Sequence, residues 1–379
     1  MLKSCLGIVN LDENEDKITD LTRSRPLASI PIAGRYRIID FILSNLTNAG
    51  IKSIGIFSKM QSRSLMDHLS NGRPWDLNRK IDGLRFFNFT TTEPHTDDIT
   101  NFSNNLEYLY RARQEYVILA SSYMICNIDF RDILNKHIKS GYDITMVYKK
   151  TEDSDMNFSN CEVLNIDKEG NVLSIGKNIG NQKNVNIGMG MYIMKKELLI
   201  NIINECVSIG RYRKVKSYIY NHLDKLKVRS HEFTGYLACI NSLKSYYKAS
   251  MDLLNNEINK ELFSQESPIY TKTNDEVPVI YSKDCVVKNS IIANGCLIEG
   301  FVENSIISRR VKISKGAIVK NCVIFQNCTI GENAKISNII TDKYVNIGYN
   351  KELTGDITIP LVVEKNIHMY GSLAIVKNL

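Results

Sequence analysis

With 379 residues, 43% of them hydrophobic and 23% charged, the chain can fill two buried cores and is not a disordered polymer. The formal charge of +7 is spread thinly, and its densest runs, "RYRKVK" (211–216) and "SRRVKISK" (308–315), are short enough to read as solvated surface. No nucleic-acid partner is expected, and with neither a signal peptide nor an apolar run of membrane length, no membrane partner; a cytoplasmic location fits best.

The first strand starts near Leu6 and leads into "NLDENEDKITDLTRSRP" (10–26). A nucleotide-binding α/β domain usually places glycines there, so that backbone N–H groups approach phosphate. This loop instead carries Asp12, Glu13, Glu15, Asp16 and Asp20, with Lys17 as the one cation before Arg23. Next, "RIIDFILSNLTNAG" (37–50) reads as a helix closed by Gly50, and "SIGIFSK" (53–59) as a buried strand. Residues 90–105, rich in Thr, Asp and Asn, read as a long irregular loop. "YVILASS" (116–122) and "YDITMVYK" (142–149) are further strands, separated by the helical "FRDILNKHIKSG" (130–141). "NIGMGMYIMKKELLINII" (186–203) is another strand-to-helix unit. Strands alternating with capped helices argue for a mainly parallel sheet covered on both faces.

Beyond residue 278 the period changes. Ile280, Val286, Ile292 and Ile298 are six residues apart; Ile307, Ile313 and Val319 repeat the step, as do Ile324, Ile330 and Ile336. A hexapeptide period with small or turn-forming residues between defines a parallel β-helix, each aliphatic position stacking one coil away. Some hexapeptide proteins transfer acyl groups with a histidine base, but no histidine lies between His231 and His368, which excludes that base here. Nine cysteines occur without a Cys-x-x-Cys pair, so no zinc site is expected. Cys285, Cys296, Cys322 and Cys328 sit among aliphatic residues as small core fillers.

"GRYRIIDFILSNLTNAGIKSIGIFSKMQS" (34–62), "MGMYIMKKELL" (189–199) and "ASMDLLNNEI" (249–258) resemble segments of the bacterial glucose-1-phosphate adenylyltransferases, also called ADP-glucose pyrophosphorylases. The family's text for the first is of the form GGKFRIIDFxLSNxxNSGI. The resemblance spans essentially the whole chain and implies an α/β protein. A nucleotidyltransferase-type domain with a Rossmann-like, GT-A-like mixed sheet would occupy residues 1–258. A linker (259–278) and a left-handed parallel β-helix of hexapeptide repeats (279–379) would follow.

The family joins ATP and glucose 1-phosphate into ADP-glucose and pyrophosphate, and its chemistry needs three things. Its glycine-rich loop, AGGxGxRLxPLTxxRAKP, falls on the acidic stretch: Leu21, Thr22 and Arg25 match, but Leu27 replaces the lysine. Carboxylates repel a triphosphate where that loop would donate N–H groups. Its two Mg²⁺-binding aspartates fall on Tyr123 in "SSYMICNIDF" and Cys239 in "GYLACINS". The ion requires hard oxygen ligands, so no metal and no cofactor is expected. Its nucleotide segment is replaced by "DDITNF" (97–102).

Remnants of substrate binding would be Lys177 in "IGKN", Arg25, and Gln61 in "KMQS"; an effector site would use Arg35 and Arg37. The pattern resembles the family's D-type, non-catalytic subunit. It implies a regulatory or structural role beside a catalytic subunit in a hetero-oligomer, a heterotetramer by family precedent. Two alternatives stay open. One is an active nucleotidyltransferase whose ligands are rearranged onto Asp12, Glu13, Glu15 and Asp16. The other is a sugar-phosphate sensor without turnover.

Overall fold

The computed structural model describes residues 4–58, 63–88, 97–152, 157–180, 184–370 and 373–376. The chain packs as two units, each drawn from separate stretches. The first holds residues 1–14, 39–239 and 263–270; the second holds 15–38, 240–262 and 271–379.

The first unit is built on nine strands. In chain order they are β1 (Cys5–Asn10), β2 (Ser53–Ser58), β3 (Gly83–Asn88), β4 (Tyr116–Ala120) and β5 (Ile144–Glu152). Then come β6 (Glu162–Ile166), β7 (Val172–Lys177), β8 (Asn184–Lys195) and β9 (Val228–Glu232). The main path runs β7-β6-β8-β4-β1-β2-β3, with β5 pairing β8 and β9. Strands β1 and β2 are buried at every position, as parallel strands covered on both faces must be.

The mainly parallel sheet expected from strand–helix alternation is corrected to a mixed one. Only the β4-β1-β2-β3 run and the β5–β9 pair are parallel. The 12-residue β8 lies antiparallel to β4, β5 and β6, and β6 to β7. Apolar runs report burial but carry no record of strand direction.

Helices Ile38–Asn48 and Phe130–Ser140 fall where the apolar spacing places them. The second is capped by Asp129, which accepts from Arg131 N, and ends at Gly141 with φ of 70°. The irregular loop expected over 90–105 is corrected in part: Asp98–Asn104 is a helix whose N-cap Asp97 accepts from Thr100 N. Residues 90–96 lie outside the described residues. A two-residue ribbon pairs Met124–Ile125 with Ala238–Cys239 and sets Cys239 opposite Met124.

The second unit contains a left-handed β-helix with three sheets, parallel throughout except for the last pair, Ile367–Tyr370 with Leu373–Val376. Ile298, Ile313, Ile330 and Ile347 stack in register on one face. Val302, Val319, Ile336 and Leu353 do so on the second, and Ile292, Ile307, Ile324 and Thr341 on the third. Cys296, Cys322 and Cys328 fill the interior. At one corner Asn289, Asn304, Asn321 and Asn338 all take positive φ, which asparagine tolerates better than other side-chain-bearing residues. Within this unit, Tyr246 OH donates to Pro31 O at 2.7 Å and Tyr247 OH to Asn321 O at 2.6 Å. These bonds bring the hairpin Pro31–Ile32/Tyr36–Arg37 and the helix Leu243–Asp252 into the β-helix unit.

Candidate functional site

At the carboxyl end of β1, Asp12 and Glu13 of the acidic loop turn inward, while Asp16 and Lys17 stay exposed. Asp12, Glu13, Asp98, Tyr123, Glu162, Tyr192 and Lys216 converge there in the first unit. All of these but Glu13, together with Ser121 and Gly190, line a narrow, partly open cavity with a volume of about 30 Å³. An ordinary small-molecule site needs roughly 300 Å³ or more. This space matches about one water molecule.

Glu13 is buried, its Oε1 accepting from Ser122 N at 2.8 Å and Ser122 Oγ at 2.7 Å. Burial, aided by the Asp12 charge, pushes its carboxyl up to about 7. Asp98 is likewise buried and is raised to about 8, again by burial and then by Asp12. It accepts from Val215 N at 3.1 Å and from Asn10 Nδ2 at 3.3 Å. Lys214 Nζ sits 2.7 Å from Asp12 Oδ2, and Lys216 Nζ 3.5 Å from Glu162 Oε1. Burial opposes the charge on Lys216, but Asp12, Glu162 and Asp98 outweigh it and raise its pKa. Tyr192 OH donates to Glu162 Oε2 at 2.9 Å and meets Tyr220 OH at 2.9 Å.

Tyr123 completes the filling. Burial, followed by the charge of Glu162, holds its phenol far above the ordinary range, so it stays protonated. Gly190, at φ of 64°, leaves room for Ser121: an added Cβ would lie 2.6 Å from Ser121 Oγ, though at an ordinary 3.6 Å from Tyr123 OH. Cys239 is buried with its Sγ 3.1 Å from Cys161 Sγ. A protonated phenol and a buried thiol at the two positions the family gives to Mg²⁺ ligands do not fit that ion. Among the described residues, no group of three or more His, Cys, Asp or Glu side chains is placed to hold a metal.

The remaining sequence-derived positions divide between the units. Leu27 is fully buried in the 3₁₀ turn Leu27–Ser29 of the second unit, its N–H held by Glu15 Oε1 at 2.8 Å. Lys177 ends β7 in the first unit and lines an open cleft with Asn165, Asn178 and Asn184, not the cavity around Tyr123. Gln61 lies outside the described residues. In the second unit, Arg25 Nη2 meets Asp342 Oδ2 at 2.5 Å while its buried Nη1 has no partner among the described residues. Arg37 Nη1 donates to Ser29 O at 3.0 Å, and Arg35 lies over the Tyr36 ring. Lys343 is pushed down to about 7 by burial and by Arg37 and Arg25 beside it.

Sequence reasoning missed Lys214 and Lys216. The "RYRKVK" run reads as solvated surface, yet these two lysines are the counter-ions of the inward-turned acids. The available signal was two complementary runs, acids at 12–20 and bases at 211–216, in one domain.

A mixed α/β sheet and a hexapeptide β-helix carried on one chain define a nucleotidyltransferase-type architecture. The nucleotidyl transferase family model matches residues 16–256, and a GlmU-like C-terminal hexapeptide model matches 278–357. The chain belongs to the nucleotidyl transferase family and, within it, to the group of the glycogen biosynthesis proteins GlgD. It is 39% identical to "Glycogen biosynthesis protein GlgD" of Bacillus subtilis over 365 residues, 96% of either chain. It is 37% identical to the protein of that name from Geobacillus stearothermophilus over 323 residues, 84% of either chain. The "Glucose-1-phosphate adenylyltransferase" of the latter organism is 27% identical over 329 residues, again 84% of either chain. Among the described residues, no helix is long and apolar enough to cross a membrane.

Proposed function

We propose that this chain acts in glycogen biosynthesis as a non-catalytic regulatory or structural subunit of glucose-1-phosphate adenylyltransferase. In this reading it modulates the synthesis of ADP-glucose from ATP and glucose 1-phosphate by a catalytic partner in a cytoplasmic hetero-oligomer, most simply a heterotetramer. The observation that carries the reading is the cavity of about 30 Å³ where the fold would hold substrates, filled by Tyr123 and by paired acids and lysines. The acidic loop supports it, because phosphate would meet the Asp12 carboxylate instead of backbone donors. With Tyr123 and Cys239 at the ligand positions, the chain binds no Mg²⁺ of its own.

The test has two arms. The purified chain with ATP, glucose 1-phosphate and Mg²⁺ should release no pyrophosphate above background. Co-expressed with the catalytic subunit, it should co-elute as a larger assembly and change that subunit's kinetics. Turnover by the chain alone, or a catalytic subunit indifferent to it, overturns the reading.

A second reading, an effector sensor, is favoured by one cluster. Arg25, Arg37 and Lys343 gather in the second unit, with a buried guanidinium nitrogen unsatisfied and a lysine near neutrality. Like charges held this closely are relieved by a phosphorylated anion. Calorimetry with fructose 1,6-bisphosphate and with glucose 1-phosphate tests it: heat from neither, at millimolar concentrations, removes the reading.

A further inference from the structure

Beside the filled cavity two thiols meet. Cys161 immediately precedes β6, which carries Glu162, and Cys239 closes the short ribbon that begins just after Tyr123. Their Sγ atoms are 3.1 Å apart although the residues are separated by 78 positions in the chain. Both side chains are buried, at 4% and 3% exposure. A disulfide needs its sulfurs at about 2.05 Å. The remaining gap is about 1 Å, so the two sulfurs already face each other just beyond bonding distance.

We propose that Cys161 and Cys239 are a reversible modification site: they form an intramolecular disulfide that ties together the two segments carrying Glu162 and following Tyr123. The oxidant is a low-molecular-weight disulfide of the glutathione type. One protein thiolate attacks a sulfur of that disulfide and forms a protein–small-molecule mixed disulfide, while the original S–S bond breaks and one small thiol leaves. The second protein thiolate then attacks the protein sulfur and expels the second small thiol. The two cysteines lose two electrons to the small disulfide, and their protons end on the two released thiols.

Attack requires a local opening, because neither sulfur is exposed. The place for it is the turn ahead of β6. Cys161 N bonds back to Phe158 O at 3.0 Å, and Asn160 sits at φ of 62°, so one short turn holds the thiol in place. The cross-link joins the strand that supplies Glu162 to the ribbon that follows Tyr123. In the reduced chain those two walls are held only by packing and hydrogen bonds. In the oxidised chain a covalent bond spans them, and closing a loop of 78 residues restricts the unfolded chain.

This inference concerns the chain's own cysteines and does not depend on the function proposed above. The full-length chain, purified in reductant, is incubated in glutathione buffers of rising oxidised fraction, quenched in acid, alkylated and digested without reduction. Mass spectrometry should find the Cys161 and Cys239 peptides joined, two hydrogens lighter than the sum, and separated again by dithiothreitol. The melting midpoint of the oxidised chain should exceed that of the reduced one, and C161S and C239S should each abolish both effects. C285S, which alters a thiol elsewhere, should preserve them. Recovery of both cysteines as alkylated thiols, as separate glutathione adducts, or joined to other cysteines overturns the proposal. The peptide map on the unaltered chain decides the matter even where a serine variant fails to fold.

Discussion

Arg25 and Asp342 form a buried ion pair, Nη2 to Oδ2 at 2.5 Å, with side chains 3% and 4% exposed and a separation of 317 positions in sequence. It fastens the segment after the acidic loop to a late coil of the β-helix unit. Removing one partner of such a pair strands the other as an uncompensated buried charge. D342A is therefore expected to destabilise the second unit by about 3–5 kcal/mol, while R25M/D342L costs much less. Urea unfolding followed by far-ultraviolet circular dichroism measures both. Equal losses from the single and double variants would refute the account.

Stability should fall as pH rises from weakly acidic to weakly alkaline. Glu13 and Asp98 have folded pKa values of about 7 and about 8, above their ordinary values of 4.5 and 3.8. The folded state thus holds more protons in that interval, so the slope of unfolding free energy with pH is negative. Their contribution is full below about pH 4 and is lost as pH passes 7 and then 8. E13Q and D98N should each flatten the melting profile and add on the order of 2 kcal/mol at pH 8. Trp75 is the chain's one tryptophan and lies in the first unit, so its fluorescence follows this transition. A variant as pH-sensitive as the parent would show that other groups set the slope.

Restoring aspartates alone should not restore turnover. In Y123D/C239D one new carboxylate stands near Glu162, whose charge already acts on position 123. The glycine loop would still be absent. Pyrophosphate release should stay at background, with a loss of about 2 kcal/mol or more in the first unit's stability. Measurable turnover by the double variant would show that two positions, not the whole cavity, had been decisive.

The asparagine corner offers a backbone test. Asn321 holds φ of 50° and donates from Nδ2 to Asn338 Oδ1 at 3.1 Å. N321A forces a Cβ without a compensating amide into the left-handed region and should cost about 1–2 kcal/mol. N321G should cost less, because glycine enters that region freely. The reverse ranking in urea melts would mean that the side-chain ladder, not the backbone, stabilises the corner.

The β-helix was readable because its information is local. Ile298, Ile313 and Ile330 announce themselves by period, and the structure stacks them in register. Helix Phe130–Ser140 was readable for the same reason, from its apolar spacing and Gly141. The mixed sheet was legible only through the family resemblance and not in the strand pattern, because pairing direction is settled between strands far apart, as when β8 meets β5 antiparallel. Helix Asp98–Asn104 was hidden by residues that favour loops; its polar Asp97 serves as a cap. The site was half legible. Tyr123 and Cys239 stood out as replaced positions, but Lys214 meets Asp12 across 202 residues, and no spacing rule reports that.

The filled cavity draws Asp12 from the loop after β1, Glu162 from β6, Gly190 and Tyr192 from β8, and Lys216 from the helix Val215–Asn221. Glu162 is the shared partner there, meeting the Lys216 ammonium and accepting from the Tyr192 phenol. Opening the space by removing Glu162 alone would leave Lys216 without that partner, so room for a substrate comes only with concerted change on β6, β8 and the helix that carries Lys216.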